Sequence, residues 1–145
     1  MSTLHKAIEN NDYYETKRLL NAGADIRELD IEYMPNSMPL NTLLIDQCLG
    51  WSPIHHAVRH NNIEAVQLLI ARNANINHQT DQDGISPLHI AALWEYHDMI
   101  RLLIGAGADI NIRTKREGLT PIWFSSQDRR QSYTNALLLR YYAEI

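Results

Sequence analysis

Apolar residues recur along this chain at two spacings, one helical and one of 34 residues. Ile63, Val66, Leu69 and Ile70 fall on one side of a helix, and Met99, Ile100, Leu103 and Ile104 repeat the pattern one period later. A shorter apolar stretch precedes each, opened by Ser52-Pro53, Ser86-Pro87 and then Thr120-Pro121. A hydroxyl there can accept an orphan backbone N–H, and proline suits the first helical position, where no N–H is needed. First helices are therefore predicted from Pro53 to about Arg59 and from Pro87 to about Trp94, with turns at Asn61–Asn62 and Glu95–Tyr96. Gly23, Asn73 and Gly107 stand where each second helix would end in a left-handed residue. Gly84 and Gly118 mark the turn before the next cap. Each unit reads as helix, turn, helix and extended loop.

The first unit is displaced. LHKAIENNDYYETKRLLNAGADI aligns with the unit that begins at Ile54, but at an offset of 50 rather than 34. The extra residues form an insert, about 28–49, with Pro35, Asn36, Ser37 and Pro39 indicating a turn-rich loop and 40–49 a possible short helix. A period this long signals stacked units, each burying its apolar face against its neighbours. The expected architecture is one domain over residues 1–145, an all-α repeat solenoid with units at about 1–27, 50–83, 84–117 and 118–145.

Composition narrows the functional classes. With 45% hydrophobic and 21% charged residues, the chain can build an ordinary globular core. No apolar run approaches the roughly 18 residues of a membrane span, and the start lacks a signal-peptide core. One cysteine, Cys48, excludes an internal disulfide and favours a cytoplasmic setting, or delivery into a host cell without a Sec signal. The net charge of −4 lies wholly in residues 1–50, which hold eight Asp/Glu against four Lys/Arg. Nucleic acid, which demands a basic field, is therefore not an expected partner. Arg113, Lys115 and Arg116 are a local exception and read as a solvated loop tip.

The pattern G-x-[ST]-P-[LI]-H-x-A, followed by a second helix ending in LLI-x-x-x-A-[DN]-I-N, resembles the ankyrin repeat over nearly the whole chain. The resemblance implies a stack of antiparallel helix pairs with β-hairpin-like loops. It also implies binding of another protein through the loop tips and the concave face of the first helices. Departures are the 34-residue period against the usual 33, the insert, and Trp123-Phe124 where histidine and an aliphatic residue are usual. By the same resemblance, His5, His55 and His89 are scaffold, hydrogen-bonded within and between units. The outward positions carried over are Arg59, His60, Leu93, Trp94, Gln127 and Asp128 at first-helix ends, and Thr80, Gln82, Asp83, Thr114, Arg116 and Glu117 in the loops. Trp51, Ile85 and Leu119, just before the Ser/Thr-Pro pairs, would complete an apolar stripe with Leu93 and Trp94, unless Trp51 packs under the insert.

Other constellations carry little chemistry. His56 and His60 are four apart, but HHAVRH lacks the glutamate of an H-E-x-x-H site, so they read as exposed groove histidines and no metal or cofactor is expected. Cys48 reads as a half-buried thiol on the face of LLIDQCL. The expected function is a non-catalytic interaction module, monomeric when free, acting as an adaptor, inhibitor or immunity-type protein. The alternative is an enzyme with an unconventional site around Cys48 and a nearby histidine.

Overall fold

A computed structural model describes residues 3–27, 51–80, 83–125 and 133–143. Its eight helices are α1 (Thr3–Glu9), α2 (Tyr13–Asn21), α3 (Pro53–Arg59), α4 (Ile63–Ala71), α5 (Pro87–Leu93), α6 (His97–Gly105), α7 (Pro121–Ser125) and α8 (Tyr133–Ala143). The first helices α1, α3, α5 and α7 pack side by side in chain order, and each also packs against the second helix of its own unit. The predicted helix boundaries hold in both central units. The insert, with Cys48, and Gln82, Gln127 and Asp128 lie outside the described residues.

The amphipathic pattern explains the layering. Val66 and Leu69 of α4, and Met99, Ile100 and Leu103 of α6, are buried, while Ile63, Ile70 and Ile104 pack at the edge of the same core. The central first helices are covered from two sides: α3 buries Pro53 through Val58 and α5 buries Pro87 through Ala92. Each is only seven residues long.

Turn chemistry repeats with the period. Asn11, Asn61 and Glu95 join the paired helices at φ of 57°, 51° and 55°, and Gly23, Asn73 and Gly107 end the second helices at 92°, 62° and 103°. Asparagine and glycine enter this left-handed region most readily, whereas Glu95 adopts it at a cost of about 1 kcal/mol. After each second helix an Asx turn closes the chain. Asp25, Asn75 and Asp109 accept from the backbone N–H of Arg27, Asn77 and Asn111 at 2.9, 3.1 and 2.9 Å. Asn77 then reaches into the next unit, accepting from Asp109 N–H at 2.8 Å and donating to Gly107 O.

The strongest link between units runs through histidine. His55 Nδ1 receives the backbone N–H and hydroxyl of Ser52 (3.3 and 2.8 Å), and its Nε2 lies 2.9 Å from the carbonyl of Ile85 in the next unit. His89 repeats this with Ser86 (3.1 and 2.8 Å) and the carbonyl of Leu119 (2.8 Å). A backbone N–H can only donate and a carbonyl can only accept, so each ring must be neutral with its proton on Nε2. His5 is fully buried at the corresponding place in the first unit and meets His56 edge-on, with ring centroids 4.8 Å apart.

Successive loops also touch. Lys115 N–H donates to Asp83 O at 3.0 Å, directly beside Gly84. A Cβ on Gly84 would stand 2.7 Å from both Lys115 N and Lys115 Cγ, at a φ of +70°, whereas one on Gly23 would meet nothing within 4 Å. Gly84→Ala is therefore expected to cost at least twice as much stability as Gly23→Ala, which carries only the left-handed penalty of about 1 kcal/mol. Equal urea midpoints for the two variants would show that the loops can part without loss.

Burial makes the fold acid-sensitive. Loss of solvation lowers His55 from its ordinary value near 6.5 to about 3, His56 to about 2 and His89 to about 4. Below about pH 6.5 the unfolded chain therefore binds protons that the fold refuses, so stability is complete above that pH and declines beneath it. Each such imidazole should withdraw roughly 2 kcal/mol between pH 7 and pH 5. The expected result is a urea midpoint falling steeply over that interval; a flat midpoint would mean that the rings are not held neutral.

Candidate functional site

The loops that lead into α5 and α7 are each built around a threonine. Thr80 N–H donates to Ile85 O while the Thr80 hydroxyl accepts from Ile85 N–H, both at 3.0 Å. Thr114 and Leu119 form the same reciprocal pair, also at 3.0 Å twice. This gives the loops a hairpin-like closure, although no strand longer than a single bridge occurs among the described residues. Gln79 adds a brace, its Nε2 donating to Gly84 O at 2.9 Å and, across to the next loop, to Arg113 O at 2.7 Å.

These bonds correct part of the expected contact set. Thr80 and Thr114 are buried, because their hydroxyls close the loops rather than face outward. Ile85 is buried too, beneath the turn that Thr80 ties. Trp51 is only 1% exposed, its ring 5.8 Å from that of His55 and 5.4 Å from that of His56. The stripe of Trp51, Ile85, Leu119, Leu93 and Trp94 is thus not an exposed surface as a whole. His56, read as a groove histidine, is also buried, wedged between His5 and Trp51.

Other expected residues do converge. Asp83, Ile85, Thr114, Arg116, Glu117 and Leu119 line one groove between successive loops, with Phe124 from α7 at its base and a volume of about 80 Å³. Arg116 and Glu117 are exposed on its rim, and Leu119 and Asp83 are half-buried. Buried Ile85 and Phe124 supply carbon to the floor. The groove therefore combines an apolar base with charged edges.

A second group lies at the opposite ends of the first helices. His60 Nε2 approaches Glu9 of the first unit at 3.5 Å. Burial lowers the pKa of His60 and outweighs the opposing pull of Glu9. The Arg59 guanidinium stacks 5.2 Å above the Trp94 ring, a cation–π contact joining the second and third units. Tyr96 fixes the base of this contact, its hydroxyl donating to Arg59 O at 2.9 Å. Trp94 remains 37% exposed and Leu93 is half-buried beside it. Seven residues of α5, about 10 Å of helix, separate this edge from the groove.

Besides Tyr13 and Tyr14 on α2, one further exposed aromatic lies outside the expected contact set. Trp123 is 39% exposed and packs edge-on against Phe124, which in turn meets His89. Its signal was available: Trp123 stands 34 residues after His89, where the period calls for the clasping histidine. The buried His55 and His89 spend both ring nitrogens on the scaffold, and no group of three or more metal-ligating side chains occurs among the described residues. Among those residues, too, no helix is long and apolar enough to cross a membrane.

Comparison with known families agrees with this geometry. A family model for ankyrin repeats (3 copies) matches residues 4–114 and, in a second overlapping match, residues 59–145. Ankyrin repeats generally serve protein–protein interaction and are generally non-catalytic. With repeated helix pairs, clasping histidines and a family match spanning residues 4–145, this chain belongs to the ankyrin-repeat family.

Proposed function

We propose that this protein is a non-catalytic recognition module that binds another protein across its loops and first-helix ends, acting in the cytoplasm as an adaptor, inhibitor or immunity-type protein. The observation that carries the reading is the exposed Trp94 ring, held in place by Arg59 rather than left to swing. A large apolar ring fixed at a partly wet surface loses little side-chain freedom on binding, which is what makes tryptophan and arginine frequent interface anchors. Arg59, His60, Leu93 and Trp94 form one contact area, and Asp83, Arg116, Glu117 and Leu119 the other. Gln82 and the insert 28–49 are proposed as additional contacts. Its Glu28, Asp30, Glu32 and Asp46 suit a basic patch on the partner. No cofactor enters this function, and the free chain is proposed to be a monomer.

Replacing Trp94 tests the reading. Trp94→Ala should weaken binding to the partner recovered from the native cell by more than about 1 kcal/mol, since it removes both the ring and the seat of Arg59. Its melting temperature should change little, because the ring is partly exposed and a cation–π contact at an exposed site contributes only about 0.5–1 kcal/mol. An unchanged affinity, measured on a variant of unchanged stability, would remove this edge from the interface.

A further inference from the structure

We infer that the groove between the loops receives a branched aliphatic side chain from a partner segment that is acidic on the side facing loop residues 113–117. The inference rests on the protein-binding reading above and specifies the chemistry of what is bound. The polar groups beneath the groove are already committed. The carbonyls of Ile85 and Leu119 accept from His55 and His89 as well as from Thr80 and Thr114 N–H, and the two threonine hydroxyls take the N–H groups of Ile85 and Leu119. What the floor offers an incoming group is therefore carbon, from Ile85, Leu119 and Phe124. A polar side chain placed there would exchange water for nothing.

Volume selects among apolar groups. The groove holds about 80 Å³, whereas an engineered cavity that accepts benzene measures about 150 Å³. The groove is open on one side, so a valine, leucine or isoleucine side chain is covered within it, whereas an aromatic ring would stand partly out in water. A lone methyl would leave much of the floor wet.

Charge selects what lies beside the anchor. The loop on one side carries exposed Arg113, Lys115 and Arg116 against the single carboxylate of Glu117, while Asp83 lies on the other side. A carboxylate flanking the anchor is attracted towards the first wall and repelled by the second, so the groove gives a bound segment a direction. These charges are exposed and screened by salt, so they govern selectivity more than affinity. Their backbone is already ordered. Lys115 N–H bonds to Asp83 O, Gln79 braces Arg113 O, and Gly84 permits the close approach. Binding therefore does not pay to order the loop.

The test is fluorescence polarisation of the full chain with labelled nonapeptides of a glycine-serine background. Each carries a central leucine, phenylalanine or alanine, flanked on one side by two glutamates or two lysines, in both chain directions. The leucine peptide with glutamates in one direction should saturate with a dissociation constant below about 1 mM. Alanine or phenylalanine at the centre should weaken it at least about tenfold, and raised salt should weaken it further. Arg116→Glu, an exposed change that should leave melting unaltered, should shift preference towards the lysine-flanked leucine peptide, and Tyr14→Ala, an exposed change on α2, should leave peptide binding as it was. The inference is overturned if phenylalanine binds as tightly as leucine, if Arg116→Glu leaves the flank preference intact, or if no peptide saturates near about 1 mM. Should the peptides fail while Trp94→Ala still weakens the cellular partner, only the assigned chemistry of the groove falls; if both fail, the protein-binding reading falls with it.

Discussion

The clasp from serine through histidine to the next unit's carbonyl is the constraint on which the rest of the structure depends. At Ser52–His55–Ile85 and again at Ser86–His89–Leu119, one ring joins the start of its own helix to the loop that opens the following unit. Because that ring is buried, only one proton arrangement satisfies both sides, and the register between units is fixed by hydrogen-bond polarity as well as by shape. The carbonyls of Ile85 and Leu119 are drawn inward, which buries the apolar residue before each Ser/Thr-Pro pair wholly or partly. Stability and the geometry of the proposed recognition surface thus have a common origin.

Much of this was legible in the residues because backbone requirements leave local marks. Proline at 34-residue intervals located the first helices, and Gly23, Asn73 and Gly107 located the left-handed ends of the second. The scaffold role of His5, His55 and His89 followed from their shared register. Side-chain direction was harder to read. Thr80 looks like any loop threonine until its hydroxyl is seen to meet the N–H of Ile85 five residues on, a contact that requires the loop to be closed first. Ile85 and Trp51 shared a register position, but that position tells which unit a residue belongs to and not how deeply its loop is folded over it. His56 failed for a related reason. Its burial depends on His5 and Trp51, which arrive from different units.

Departures from the period proved more informative than matches. Where the clasp would recur in the last unit, Trp123 replaces the histidine and Phe124 follows it. Phe124 packs on His89 and floors the groove with an aromatic ring, where the preceding unit has the buried aliphatic Ile90. Tyr96 is a second such departure. At the corresponding place Asn62 caps α4 through Ala65 N–H and donates to Ile8 O of the preceding unit, whereas Tyr96 gives up the cap and keeps the donation, now to Arg59 O. That exchange holds Arg59 where it can cover Trp94.

Such a division of labour explains how a repeat fold can acquire a partner without renegotiating its own stability. The histidine clasps that hold the units together end on buried ring nitrogens and main-chain carbonyls. Arg59, Trp94, Arg116 and Glu117 lie outside that network or at its edge, and exposed charges contribute little to folding. Their identities are consequently free to answer to a partner, while their positions are dictated by the clasp, the Asx turns and the contact of Lys115 with Asp83. The exception is the stacked pair of Arg59 and Trp94, which bridges two units and is also exposed. Under the proposed function, a partner that covered the ring would also strengthen the contact between the second and third units by excluding water from it.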